Sequence, residues 1–155
     1  MLVSRQIICP HCGGINRVPA EQPADAVRCG RCRTPLFSAK PIDVDAAALN
    51  KHIQQGDLPV LAQLWAPWCS SCVVMASAYE AAAYELEPDM RLVKLNSDAE
   101  PEMAARLRVQ TIPTMILFSD GVEVARVSGG GVAGGISAWA RARLADVQIR
   151  SSMRA

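Results

Sequence analysis

The sequence predicts an α/β domain, a mixed sheet with helices on both faces, preceded by a small segment organised by cysteines. Three observations lead there. Apolar, strand-like runs at 58–66, 91–96 and 115–118 are interleaved with helix-like segments. A CxxC, Trp68-Cys69-Ser70-Ser71-Cys72, stands directly between the first of those runs and an Ala-rich, helix-like stretch. The other four cysteines fall in two further CxxC pairs within residues 9–32, where apolar side chains are few.

A chain of 155 residues that is 50% hydrophobic has room for one domain with a real core and a small appendage. Its formal charge of +1 argues against a field directed at nucleic acid or anionic lipid, so partners must be recognised locally. The N-terminal stretch before Cys9 has no apolar run of signal-peptide length. Residues 58–79 carry no charge, but Pro59, Gln63, Pro67, Ser70, Ser71 and Ser77 interrupt them. The expectation is a soluble, unexported, cytoplasmic protein with no membrane partner. Six cysteines in CxxC pairs then indicate metal and redox chemistry rather than a structural disulfide scaffold.

Cys9-Pro10-His11-Cys12 and Cys29-Gly30-Arg31-Cys32 are separated by sixteen residues. Two such knuckles deliver four thiolates to a tetrahedral ion, which is the preference of zinc. One structural zinc held by Cys9, Cys12, Cys29 and Cys32 would supply the folding free energy that a small core lacks. His11 sits inside a knuckle with four thiolates already available and is expected to face solvent. The alternative for these four cysteines is a second redox center, or an oxidant-sensitive disulfide pair with metal release as the switch. The segment is locally basic, with Arg5, Arg17, Arg28, Arg31 and Arg33 against Glu21 and Asp25, yet Phe37 is its only aromatic residue. Without a stacking platform, those arginines read as a solvated or protein-docking face, and no nucleic acid is expected.

Ala39 to Val44 reads as a connection broken by Pro41. A helix follows, capped by Asp43 or Asp45 and running to about Gln55, with Ala46, Leu49 and Ile53 at helical spacing and His52 on its polar, solvated side. Gly56-Asp57 turns the chain into the continuous apolar run from Leu58 to Ala66, which suits a central strand buried on both faces. After the CxxC, residues 73–86 form a helix ended by Pro88, and Arg91 to Asn96, with Val93 and Leu95, a second strand. Glu100 to Leu107 is a short helix opened by Pro101. Met115 to Phe118, the turn Ser119-Asp120-Gly121 and Glu123 to Val127 form a hairpin. A last helix from about Ile136 to Val147 buries Ile136, Trp139, Ala140 and Leu144. Gly129, Gly131 and Gly134 match a GxGxxG pattern, but no acidic residue follows at the dinucleotide spacing and no second βα unit fits, so they read as a flexible turn.

Cysteines three apart at a helix start lie on one face, close enough to close a small disulfide ring. The helix N-terminus favours a thiolate on Cys69, while Cys72, a turn further in, is shielded and suited to resolve a mixed disulfide. A metal knuckle or two structural cysteines are the bland alternatives.

With Lys94 in Val93-Lys94-Leu95-Asn96 and with Thr111-Ile112-Pro113-Thr114, the stretch Trp65-Ala66-Pro67-Trp68-Cys69 and Cys72 resembles the thioredoxin family over about residues 40–148. The segment from Cys9 to Cys32, with Ile15 to Pro19 between its knuckles and Leu36-Phe37 after them, is similar to the zinc-binding thioredoxins of the second type in bacteria. The resemblance divides the chain into a zinc ribbon, 1–38, and a thioredoxin-like domain, 39–155. It implies a thiol-disulfide oxidoreductase that reduces disulfide-containing proteins through Cys69 and Cys72 and is itself re-reduced by thioredoxin reductase; separately, a monomer is expected. It also implies a cis bond before Pro113, Ile112 beside the active site pairing its backbone with an extended substrate, and Trp68 covering the CxxC as part of an apolar docking surface, with Trp65 the core tryptophan.

This chain departs from the family pattern in three places. Ser70-Ser71 replace Gly-Pro, and donors from Ser71 to a thiolate should favour the reduced form and a more oxidising potential. Gln63 stands where the family commonly has a buried aspartate that moves the proton of the resolving cysteine; glutamine is not a general base, so a slower second step is expected. Ser77 replaces a kinking proline, which leaves a straighter helix. Two alternatives follow: a more oxidising oxidase or isomerase, and a redox-weak scaffold or holdase that docks through the ribbon.

Overall fold

The computed structural model describes residues 3–129, 131–132 and 135–154. The chain begins with an antiparallel pair, β1 (Ser4–Ile8) and β2 (Ile15–Pro19), followed by a 3-10 turn at Ala24–Ala26 and a bridge between Arg28 and Pro35. Beyond these come β3 (Ile42–Val44), α1 (Ala46–Gln55), β4 (Val60–Trp65), α2 (Ser70–Leu86), β5 (Arg91–Asn96), α3 (Pro101–Arg106), β6 (Thr114–Ser119), β7 (Val122–Ser128) and α4 (Ile136–Arg154).

The second sheet has the order β3-β5-β4-β6-β7. β3, β5 and β4 are parallel, and β6 and β7 run against them. As the central strand, β4 buries both faces, which explains its unbroken apolar run. Leu61 points to one face, where Met75, Tyr79, Ala83, Leu86 and Ala140 from α2 and α4 cover it. Val60, Ala62 and Leu64 point to the other, against Leu49 and Ile53 of α1 and Met103 of α3. The predicted mixed sheet with helices on both faces is therefore the observed fold.

Local chemistry accounts for most element ends. The Asp45 side chain accepts the Ala48 N–H at 2.8 Å and caps α1. Pro101 occupies the first turn of α3. Asp120 and Gly121, with φ of 52° and 82°, make the two-residue turn between β6 and β7.

Several expectations need correction. Ile42–Val44 is an edge strand rather than a connection, so Asp43 pairs in the sheet and Asp45 is the cap; three residues carry no periodicity, and the strand exists through its partner β5. α2 begins at Ser70, not near 73, because Cys69 caps it. α4 continues to Arg154, with no glycine or proline after Val147 to stop it. His52 is buried at 5% exposure. The polar side of α1 is covered by the N-terminal segment, and burial together with the charges of Arg91 and Lys51 holds the imidazole down to about 3. The glycine turn includes residues 130, 133 and 134, which lie outside the described residues.

That covering segment has a small core of its own, Ile7, Val18, Val27 and Leu36, completed by Leu58 from beyond it. Gln6 N–H donates to Asp57 Oδ2 at 2.6 Å, and Asp57 N–H donates to the Gln6 carbonyl at 2.8 Å. Arg91, at the start of β5, donates to the Ile8 carbonyl at 3.3 Å, pairs with Glu87 at 3.0 Å and lies 5.0 Å over the Phe37 ring. The segment thus sits against the N-terminal ends of β4 and β5. Among the described residues, no helix is long and apolar enough to cross a membrane.

Candidate active site and metal centre

β4 ends at Trp65, and Ala66-Pro67-Trp68 carry the chain to Cys69. Cys69 is the N-cap of α2, its Sγ accepting the Cys72 N–H at 3.1 Å. A helix N-terminus offers just such unpaired donors to an anionic sulfur. One turn on, Cys72 Sγ lies at disulfide-bonding distance from Cys69 Sγ, with the Cα atoms 5.3 Å apart. Cys72 is shielded as expected, at 6% exposure, and Cys69 is shielded as well, at 4%. Ala66, Trp65 and Ile112 pack around the pair and close it in.

The peptide bond between Ile112 and Pro113 is cis. Pro113 is buried, and its carbonyl accepts the Gly129 N–H at 2.9 Å. Thr114 Oγ1 donates to the Thr111 carbonyl at 2.6 Å, which fixes the loop beside the cysteines. Trp68, next to Cys69, is 68% exposed, and Val73, next to Cys72, is also exposed, so each cysteine has an exposed apolar neighbour in the chain. Ser70 and Ser71 are both exposed. α2 runs unbroken through Ser77 over its 17 residues.

Behind the pair, Gln63 of β4 is buried, and its Nε2 has no hydrogen-bond partner among the described residues. Its register neighbour on β5 is Lys94, whose Nζ lies 4.9 Å from the Trp65 ring centroid. Trp65 itself is half-buried.

The second cysteine cluster is built from two matching turns. Gly13 N–H donates to the Cys9 carbonyl at 3.1 Å and Arg33 N–H to the Cys29 carbonyl at 2.9 Å. Both residues take left-handed backbone, φ 74° and 69°. Each turn aims backbone N–H groups at sulfur: His11 and Cys12 at Cys9, Gly14 at Cys12, and Arg31 at Cys29, all within 3.3 to 3.4 Å.

The four sulfurs lie within 4.8 Å of one another, with Cys9–Cys32 and Cys12–Cys29 both at 3.6 Å. A tetrahedron of thiolates about 2.3 Å from a central ion has edges of roughly 3.8 Å, so the donor set fits a four-coordinate soft-metal site. The Cys32 N–H and the Asn16 amide hold the Cys29 thiol down to about 6, whereas burial pushes Cys9 up to about 11. A thiolate at Cys9 thus calls for a cation beside it. His11 is exposed and outside the ligand cluster, as its position in the knuckle predicted.

The two clusters occupy opposite ends of the sheet. The four-cysteine segment contacts Asp57, Leu58 and Arg91 before or at the first residues of β4 and β5, while the CxxC follows the last residue of β4. Six residues of strand separate these ends by about 20 Å. The Glu87–Arg91 pair, which ties the four-cysteine segment to the start of β5, went unread in the sequence, although its i,i+4 spacing was visible.

Comparison with known proteins agrees with this geometry. A family model described as Thioredoxin matches residues 40–142, and one described as Thioredoxin 2, N-terminal, a zinc ribbon, matches residues 8–34. Thioredoxin C-3 of Corynebacterium nephridii is 38% identical over 123 residues, covering 79% of this chain and 84% of its own. Among solved structures, a thioredoxin from Trypanosoma brucei brucei aligns with a TM-score of 0.60 at 26% identity, over 78% of this chain and 97% of that one. A mutant thioredoxin from Halobacterium salinarum aligns at 0.56 and 28% identity, over 62% and 83%.

Proposed function

This chain belongs to the thioredoxin family, and on that premise we propose that it is a protein-disulfide reductase re-reduced by thioredoxin reductase. Thiol-disulfide exchange is the chemistry of the family and of the Cys69–Cys72 pair. The observation that carries the reductase reading is Cys69 as the cap of α2, its sulfur facing the Cys72 N–H with Cys72 Sγ at bonding distance. The Cys69 thiolate attacks a substrate disulfide and forms a mixed disulfide. Cys72 then attacks Cys69 Sγ and releases the reduced substrate. Trp68 and Val73 supply an apolar surface for the substrate, and the backbone at Ile112 supplies pairing for an extended segment.

In the ribbon, residues 1–38, Cys9, Cys12, Cys29 and Cys32 hold one structural zinc, which ties the two knuckles together; residues 39–155 form the reductase domain. At the far end of the sheet from Cys69, that ion takes no part in exchange. A reducing cytoplasm keeps such thiolates available to metal, and the chain works there as a monomer.

The test is trapping. Cys72→Ser should accumulate a mixed disulfide through Cys69 with a disulfide-bonded protein, and Cys69→Ser should form none. A Cys72→Ser variant that traps nothing contradicts the reading.

A further inference from the structure

Gln63 is 1% exposed, and its Nε2 finds no partner among the described residues. It lines two clefts. One, about 170 Å³, is bounded also by Cys72, Trp65, Ala76 and Lys94. The other, about 140 Å³, shares Gln63, Ala76 and Lys94 with it and is bounded further by Asp43, Glu80 and Tyr79. The shared wall follows from register: Asp43, Lys94 and Gln63 are directly paired neighbours on β3, β5 and β4, so their side chains rise on one face of the sheet, beneath α2. Each cleft has room for several waters, and a buried unpaired amide between them is the kind of group that ordered water satisfies.

We propose that Gln63 and Lys94 hold a water path from Cys72 to the carboxylates of Asp43 and Glu80, which accept the Cys72 proton that a glutamine cannot. This rests on the reductase reading. The charged and titratable groups facing the path are Asp43 from β3, Lys94 from β5, and Glu80, Tyr79 and Cys72 from α2; β6 contributes Met115 at this register. Tyr79 is excluded as acceptor. Its hydroxyl lies 2.8 Å from the Leu61 and Val93 carbonyls, and burial keeps it protonated well above 10.

In the mixed disulfide, Cys69 Sγ is bonded to a substrate sulfur and Cys72 is a thiol. Cys72 gives its proton to water in the cleft it lines, and a proton moves past Gln63 to Asp43 or Glu80 and on to solvent. The Cys72–Cys69 bond forms as the bond from Cys69 to substrate breaks. The electron pair leaves on the substrate sulfur, which is reduced and takes a proton from solvent, while the enzyme dithiol is oxidised.

The experiment follows mixed-disulfide formation and release separately, in single turnover across pH, in the full zinc-loaded chain. Asp43→Asn with Glu80→Gln should leave formation unchanged and slow release by on the order of tenfold near neutral pH, less at alkaline pH where hydroxide substitutes. Adding Gln63→Asp to that variant should restore release, which a structural defect would not allow. Because both carboxylates are exposed, Glu80→Gln alone provides a well-folded check and should show a smaller shift in the same direction. Release with an unchanged rate and pH profile overturns the proposal, as does slowed release that Gln63→Asp fails to restore. Absence of any mixed disulfide, even with Cys72→Ser, overturns the reductase reading and this proposal with it.

Discussion

Arg91→Ala should cost about 3–5 kcal/mol at neutral pH, a large part of the ~5–15 kcal/mol that holds a domain together. The guanidinium is 3% exposed and serves three elements. It pairs with Glu87 at 3.0 Å, donates to the Ile8 carbonyl at 3.3 Å and stacks on Phe37 at 5.0 Å. Truncation leaves a buried carboxylate without its cation and a strand carbonyl without one of its donors, and it opens a gap beneath Phe37. The loss of the pair dominates, because an uncompensated buried charge outweighs a cation–π contact of about 1 kcal/mol.

The loss should also depend on pH. Burial raises the Glu87 carboxyl above its ordinary 4.5 even with Arg91 beside it. A carboxyl raised in the fold binds its proton more tightly there than in the unfolded chain, so its ionisation subtracts stability as pH climbs from 4.5 through the folded value. Without Arg91 that folded value climbs further, and the defect grows between acid and neutral pH. Urea unfolding of the zinc-loaded chain at pH 5.5 and pH 8, fitted with a common slope, measures it. A loss under about 1 kcal/mol at pH 8, or a larger loss at pH 5.5 than at pH 8, refutes the reasoning. Arg91→Met with Glu87→Leu should recover much of the deficit, since replacing both charges removes the desolvation penalty.

Two further outcomes follow from the same geometry. His52 is held down to about 3 against an ordinary 6.5, so the unfolded chain takes up a proton below 6.5 that the fold refuses, and stability falls as pH drops from about 6.5 toward 3; His52→Gln should flatten that limb in unfolding measured across pH, and an unchanged limb would place the acid sensitivity elsewhere. Replacing Ser70-Ser71 by Gly-Pro removes one N–H and two hydroxyls from the start of the helix that Cys69 caps and should make the pair more reducing by about 30 mV, close to 1.4 kcal/mol for two electrons; an equal or higher potential in a redox titration would show that the serines do not favour the reduced form.

The sequence carried the chemistry more legibly than the interfaces. CxxC spacing identified the redox pair because it depends on geometry within one turn, and the four-cysteine cluster because each of its two knuckles does. The strand runs were readable because β4, β5 and β6 bury whole faces. Ile42–Val44 was not, since a three-residue edge strand is defined by its partner. His52 and Arg91 escaped for a related reason: His52 reads as solvated on its own helix and Arg91 only as the start of a strand, and both are buried where the N-terminal segment packs over α1 and the start of β5. The Asp43–Lys94–Gln63 row is likewise visible only in the register of three parallel strands.

The most direct test of the account is electron transfer: the rate at which the zinc-loaded chain carries electrons from NADPH and thioredoxin reductase to a disulfide-bonded protein. The account predicts sustained NADPH consumption that requires Cys69 and Cys72. Consumption no faster than that of the Cys69→Ser variant would contradict it and leave the fold serving as a binding scaffold.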